Sequence, residues 1–510
     1  MAYLLGVDIG TSGTKTVLFD VQGKTVASDT QEYPLYQPKN GWAEQDPEDW
    51  WRATHVSTLN VLRKSGVDAR EIKGIGLSGQ MHGLVLLDRE GNVLRKSIIW
   101  CDQRTAAECI EITEKVGAKR LIEITANPAL TGFTASKAMW VKNNEPAIFE
   151  KVAKILLPKD YIRYRLTGEF ATEVSDASGM QFLDVPKRRW SGEVLQKLGL
   201  REDMLGKVYE SFEVSGTVHR EAAARTGLVA GTPVVGGGGD QAAGAVGNGI
   251  VRAGVISSTI GTSGVVFAHS DAVTIDPNGR VHTFCHAVPN TWHIMGVTQG
   301  AGLSLQWFRN QFCRDEMATA VAMGVDPYSL MDKEAAQVNP GSNGLVYLPY
   351  LMGERTPHLD ADCRGVFFGL SATHTRRDML RAVMEGVVFS LRDCLEIIRD
   401  MGVPVGEVRA SGGGGKSPLW RQMQADVFGT EIQTVNSSEG PALGVALLAG
   451  VGTGVYKSVP EACDATIGIL SRQSADKGVK PVYDGYYKLY GALYKSLSSD
   501  FKTLAALAHQ

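Results

Sequence analysis

The stretch DIGTSGTK (residues 8–15) follows directly on the apolar run YLLGV (3–7), and TIGTSG (259–264) follows directly on GVISS (254–258). Ile9 and Ile260 open the same five letters, about half of the 510-residue chain apart. In both places an apolar, strand-like run stops at Gly-Thr-Ser-Gly and a second strand-like run resumes, TKTVLFD after the first copy and GVVFAHS after the second. A turn written twice, at matching points of two halves, reads as internal duplication. It predicts two α/β domains of similar plan, 1–249 and 250–510, joined near residue 250.

Such a turn at a strand end offers successive backbone N–H groups flanked by small hydroxyls, a concavity suited to phosphate oxygens. One copy alone reads equally as an ordinary hairpin. Two copies, one per half, suggest two loops gripping one polyphosphate from opposite sides of a cleft. Asp8 precedes the first turn, whereas Thr259 stands at the matching place in the second. A single carboxylate there suits Mg²⁺, directly or through water, because that ion favours carboxylate and phosphate oxygens.

Composition narrows the class. The chain is 44% hydrophobic and 21% charged, with a net charge of −3, no polybasic run and no apolar stretch of membrane-spanning length. Nucleic-acid and membrane footprints are therefore not expected. The seven cysteines are scattered without a CxxC spacing, which argues for free thiols in a reducing compartment. The N-terminus MAYLLGVDIG lacks a basic n-region and a long apolar h-region. A cytoplasmic location is the expectation.

Two glycine clusters end further strand-like runs. SGGGGKS (411–417) departs from a Walker A loop, which needs glycine where Ala410 stands; it reads as a tight turn into the helix-like SPLWRQMQADVF, open to a flat ring. VVGGGGDQAAG (234–244) contains a variant dinucleotide fingerprint, but no acid follows about twenty residues on to hold a ribose. What remains is Asp240 on a glycine platform, either a general base for a hydroxyl or the N-cap of a helix beginning QAAGAVG. LSGQMHG (77–83) sets Met81 and His82 in a turn after a strand. GWAEQDPEDWW (41–51) and SIIWCDQR (97–104) mix Trp with carboxylates and amides, as a sugar site does. Residues 375–401 and 482–508 carry helical spacing.

Together these pieces resemble the FGGY carbohydrate kinases of the actin-like, RNase-H-like ATPase superfamily, along nearly the whole chain and in the family's order. DIGTSGTK and STIGTSG resemble its two phosphate motifs, SGGGGKSPLW its adenosine motif and GGGGDQAAG the loop of its catalytic Asp. YLMGERTPHLDADCRGVFFGL (350–370) resembles its long second-domain signature. Within the family, SGQMHG and ANPALTGFTASKAMW (126–140) resemble the members that phosphorylate D-xylulose; glycerol-specific members carry Arg-Glu where this chain has Met81-His82.

The resemblance implies two actin-like domains with an interdomain cleft, ATP and Mg²⁺ as cofactors, and conversion of D-xylulose to D-xylulose 5-phosphate. It makes Asp240 the base and Met81, His82, Trp100, Asp240 and Gln241 the sugar contacts. Thr11, Ser12, Gly13 and Lys15 would hold phosphates from the first half, and Thr262, Gly302 and Gln306 from the second. Gly413, Gly414 and Ser417 would border adenosine, and Asp8 would serve Mg²⁺. The family often forms homodimers. A kinase for ribulose, another pentulose or a polyol remains open, as does a non-catalytic actin-like nucleotide- or sugar-binding protein.

Overall fold

The computed structural model describes residues 2–437 and 439–508. Two seven-stranded mixed sheets carry the fold. In the first, Tyr3–Ile9, Gly13–Asp20 and Thr25–Glu32 form an antiparallel meander, whose first two strands are the strand-like runs on either side of the Gly-Thr-Ser-Gly turn. Ile72–Gly79 then pairs parallel to Tyr3–Ile9, and Pro233–Val235 pairs parallel to Ile72–Gly79. The second sheet repeats the plan. Gly254–Ile260, Gly264–Ser270 and Trp292–Thr298 form the meander, and Val405–Ser411 and Glu431–Val435 add in parallel. The two Gly-Thr-Ser-Gly turns are the first hairpin of each sheet.

The parallel strands set the position of everything that follows. Tyr3–Ile9, Ile72–Gly79 and the short Gly238–Gly239 run the same way, so their C-terminal ends lie side by side. In open α/β sheets that edge is where ligands bind. Asp8, Gln80, Met81, His82 and Asp240 all leave the sheet there.

Helix Pro47–Ser65 covers one part of the first sheet. Asp46 caps its N-terminus by accepting from the Glu48 N–H, and Gly66 ends it in the left-handed conformation. Helix Gly440–Gly452 comes from the far end of the chain, yet lies against Tyr3–Ile9 and Ile72–Gly79. Its backbone approaches so closely that a Cβ on Gly6 would stand 2.0 Å from the Ala442 carbonyl oxygen, and one on Gly76 1.9 Å from that of Val445. Only glycine fits at those two strand positions. The same helix crosses Asp240–Gly247, where a Cβ on Gly247 would meet the Gly440 carbonyl at 1.8 Å.

The second sheet packs on Arg376–Asp400, whose start is fixed by a capping box between Thr375 and Asp378. Lys480–Ala508 closes the chain. Residues 80–213 form a largely helical insertion with its own apolar core around Leu121, Met139 and Phe182. The seven cysteines are all free. Among the described residues no helix is long and apolar enough to cross a membrane.

Two local expectations change. The helix after GGGG begins at Asp240 itself; Gly239 is its N-cap and no side chain caps it, so the N-cap reading of Asp240 is set aside. Residues 412–416 form a short helical turn rather than a plain loop.

Candidate active site

The first Gly-Thr-Ser-Gly turn is closed by the Gly10 N–H donating to the Gly13 carbonyl at 3.0 Å. Side chains from three other segments hold it. Gln45 Nε2 donates to the Thr11 carbonyl at 2.6 Å, Gln80 Nε2 donates to Gln45 Oε1 at 2.7 Å, and the Tyr33 hydroxyl donates to the Gly10 carbonyl. Trp100 Nε1 donates to Thr11 Oγ1 at 2.9 Å, which ties this tryptophan to the first turn, and Trp100 is 47% exposed. Ser12 stands exposed at the apex and Gly13 begins the next strand. Gln45 lies in GWAEQDPEDWW and Gln80 in LSGQMHG, but neither stretch marks them as braces of the turn.

Lys15 sits opposite Asp8 in the antiparallel register and ion-pairs with Glu439 at 2.5 Å, so its ammonium links the first sheet to the start of helix Gly440–Gly452. Asp8 Oδ1 is enclosed and accepts no hydrogen bond. Burial pushes the Asp8 carboxyl above the usual range, and Ser78 and Lys15 draw it partly back.

Asp240 is the first residue of its helix. The residue before it is anchored: the Gly239 N–H donates to Ser175 Oγ at 3.1 Å, and that hydroxyl donates to buried Glu173 at 2.9 Å. Beneath lies an enclosed ion cluster in which Lys159 Nζ stands 2.7 Å from Asp160 and 3.1 Å from Asp176. Burial first, then the charge of Asp8, raises the Asp240 carboxyl to about 7; Gln241 acts in the opposite direction. Asp8, Asp240 and Gln241 thus share one electrostatic neighbourhood.

Met81 is buried against Gly239, where a Cβ would come within 2.9 Å of its Cγ. His82 has a left-handed backbone, φ 69°, which turns its ring back under the sheet edge. Its Nδ1 lies 2.9 Å from the Gly179 carbonyl. A carbonyl only accepts, so Nδ1 carries the proton and Nε2 is left as an acceptor. Burial, with Lys137 and Arg355 nearby, lowers the imidazole to about 3 and keeps it neutral at ordinary pH. Phe133 packs on the ring with centroids 4.7 Å apart.

The second-half residues converge elsewhere. Thr262, Gly302, Gln306, Gly413, Gly414 and Ser417 all line one cleft of about 460 Å³. The Gly302 N–H donates to the Gly261 carbonyl at 2.8 Å and the Leu303 N–H to that of Thr262 at 3.0 Å, stapling the second turn onto helix Ala301–Phe312. Ser417 Oγ caps helix Pro418–Phe428 by accepting from the Trp420 N–H at 3.0 Å. Tyr328, Asp332 and Trp420 also line this cleft. Trp420 closes the SGGGGKSPLW motif, whereas Tyr328 and Asp332 lie far from the glycine motifs in sequence and no local pattern marks them.

The candidate residues thus gather in two places: Asp8, Met81, His82, Asp240 and Gln241 at the strand edge of the first sheet, with Trp100 bonded to the adjoining turn, and Thr262, Gly302, Gln306, Gly413, Gly414 and Ser417 around one cleft in the second half. Residues 3–247 match the N-terminal domain of the FGGY family of carbohydrate kinases, and residues 256–453 match its C-terminal domain. The xylulose kinase of Bacillus subtilis (strain 168) is 42% identical over 504 residues, covering 99% of this chain and 98% of the relative. That of Escherichia coli (strain K12) is 41% identical over 458 residues, covering 90% and 91%. The crystal structure of xylulose kinase from Rhodospirillum rubrum superposes with a TM-score of 0.91 at 30% identity, covering 98% of this chain and 100% of that one. On these matches and this architecture, the chain belongs to the FGGY family of carbohydrate kinases.

Proposed function

We propose that this chain transfers the γ-phosphoryl group of ATP to the 5-hydroxyl of D-xylulose, with Asp240 as general base. The observation that carries the reading is the placement of Asp240 at the head of helix Asp240–Gly247, on the strand edge it shares with Asp8, Met81 and His82, where burial raises its carboxyl to about 7. A base of that affinity is matched to neutral pH, so it accepts the hydroxyl proton as the P–O bond forms. The sugar oxygen attacks the γ-phosphorus, the bond to the β–γ bridging oxygen breaks, and ADP leaves. Naming the sugar D-xylulose rests on the named relatives together with the Met81-His82 turn.

The reaction needs in-line positioning and charge stabilisation more than covalent chemistry. In this reading Thr11, Ser12, Gly13 and Lys15 meet the phosphates from the first half, and Thr262, Gly302 and Gln306 meet them from the second. Gly413, Gly414 and Ser417 border the adenosine. Residues 1–249 and 250–510 are the units that close on the substrates, excluding water from the γ-phosphate.

Asp8, with an enclosed oxygen that lacks a hydrogen-bond partner, fits Mg²⁺ held by one carboxylate together with phosphate oxygens and waters. The bound ion would neutralise charge on the phosphoryl oxygens. Among the described residues there is no cluster of three or more His, Cys, Asp or Glu side chains placed to hold a metal, as suits an ion that arrives with its nucleotide.

Asp240→Asn tests the assignment. The variant is expected to bind D-xylulose in calorimetry as the parent does, while turnover falls about 10²- to 10⁴-fold. Turnover within a few-fold of the parent would remove Asp240 from the mechanism.

A further inference from the structure

The long signature at 350–370 contributes a residue that the assignments above leave without a task. Glu354 Oε1 accepts from the Gln299 N–H at 2.8 Å and from the Arg355 N–H at 2.7 Å. The Thr356 N–H donates to the Val297 carbonyl at 3.0 Å, and the Val297 N–H donates to Thr356 Oγ1 at 3.1 Å. The backbone around Arg355 is therefore locked to strand Trp292–Thr298 of the second sheet. Its side chain reaches into the first half, with Nη2 3.9 Å from where a Cβ on Gly132 would stand, and its charge acts on His82 and His282.

Among the described residues the guanidinium makes no ion pair and donates no hydrogen bond, although Arg355 is only partly exposed. Its neighbour Glu354 is raised to about 8 by burial and supplies little countercharge at neutral pH. A guanidinium offers five donors and no acceptor, and here none of its nitrogens is sealed off from the open part of the site, so they are available to a ligand. An oxygen that accepts without donating is the matching ligand.

We infer that Arg355 is a sugar contact supplied by the second half, donating to the C2 carbonyl oxygen of an open-chain ketose bound against His82. The inference rests on the D-xylulose reading. A 2-pentulose closes its ring through O5, the oxygen that must be free to take the phosphoryl group, so the reacting form is the open chain with a ketone at C2. His82 Nε2 accepts from a neighbouring hydroxyl while Arg355 donates to the ketone. Together they distinguish the ketose from its alditol, which has a hydroxyl in place of the ketone.

The test measures dissociation constants for D-xylulose and xylitol by calorimetry on the wild type, Arg355→Met and Arg355→Lys, with the KM for ATP as a check on the fold. Arg355→Met is expected to weaken D-xylulose about ten- to hundredfold, the worth of a hydrogen bond from a charged donor. Xylitol should change less than about threefold, so the preference for the ketose collapses, and Arg355→Lys should restore part of it. Equal weakening of both sugars, or unchanged D-xylulose binding, would overturn the assignment. Failure of the wild type to phosphorylate D-xylulose would overturn the reading beneath it; that is seen in the wild type alone and so is told apart from failure of the Arg355 contact.

Discussion

Gly179→Ala displaces His82, and more weakly the Met81 methyl group, without changing either residue. Gly179 has φ −79° and ψ −6°, a conformation any residue adopts, so the substitution introduces no backbone strain. The added Cβ would stand 2.4 Å from His82 Nδ1 and 2.5 Å from Cε1, whereas ordinary contact begins near 3.4 Å. The ring therefore has to retreat by about 1 Å. It cannot do so freely: Phe133 packs on its face, and Lys137 Nζ donates to the His82 carbonyl at 3.0 Å. The Nδ1–H bond to Gly179, worth about 0.5–1.5 kcal/mol, is lost, and a displacement of about 1 Å in a positioning group costs about a hundredfold in rate. We expect kcat/KM for D-xylulose to fall about a hundredfold, about 2.7 kcal/mol, while KM for ATP stays within about twofold. Gly239→Ala is the contrasting case, since its Cβ would press on the Met81 thioether at 2.9–3.1 Å and that chain can flex; the loss there should stay under about tenfold. Steady-state kinetics with each substrate varied in turn decides the matter. An unchanged kcat/KM for D-xylulose in Gly179→Ala, or an ATP KM raised well beyond about twofold, would refute the placement of His82 against the sugar.

Gly302→Ala should act on the opposite substrate. Its Cβ would lie 2.2 Å from the Gly261 carbonyl oxygen, a backbone atom that cannot swing aside, so KM for ATP should rise at least about tenfold while calorimetric D-xylulose affinity is unchanged. His293 is buried, stacked on Phe267 at 4.2 Å, and lowered to about 3 by burial, against about 6.5 in an unfolded chain. The unfolded state therefore takes up a proton below about pH 6.5 that the folded state refuses, and stability falls as pH drops. In His293→Phe that contribution is absent, so the stability difference should move by about 1.5 kcal/mol in favour of the variant between pH 6.5 and 5.0, read from denaturant unfolding at both values. A difference independent of pH would mean that His293 is protonated in the fold.

What was legible in the sequence was local. The two Gly-Thr-Ser-Gly turns are announced by the apolar runs before them, and the strand-like runs flanking the first turn mark strands 3–9 and 13–20. The helix at 376–400 follows from apolar residues at helical spacing, and Ser417 before Pro418 marks a helix start. What was not legible depends on contacts between distant segments. Gln45 and Gln80 brace the first turn from 34 and 69 positions away, and nothing near either residue sets that pairing. Gly179 is one glycine among 58 until His82 is folded against it. Helix Gly440–Gly452 is almost uniformly apolar, so its spacing says that it is buried but not that it lies on the first sheet, where Gly6 and Gly76 make room for it. The pairing of Lys15 with Glu439 likewise depends on a distant segment, the start of helix Gly440–Gly452, packing on the first sheet. Arg355 lies within the 350–370 signature, but an unmatched guanidinium is visible only once its surroundings are known.

The most direct measurement is ADP release by the purified protein with ATP and Mg²⁺, run without sugar and with D-xylulose, D-ribulose, L-ribulose, glycerol and D-gluconate in parallel, the product position being fixed by phosphorus NMR. The account predicts rapid release with D-xylulose over a low background, and a 5-phosphate as product. Faster turnover of another acceptor would contradict the sugar assignment while leaving Asp240 in place. No acceleration by any of them would contradict the proposed activity of this chain itself.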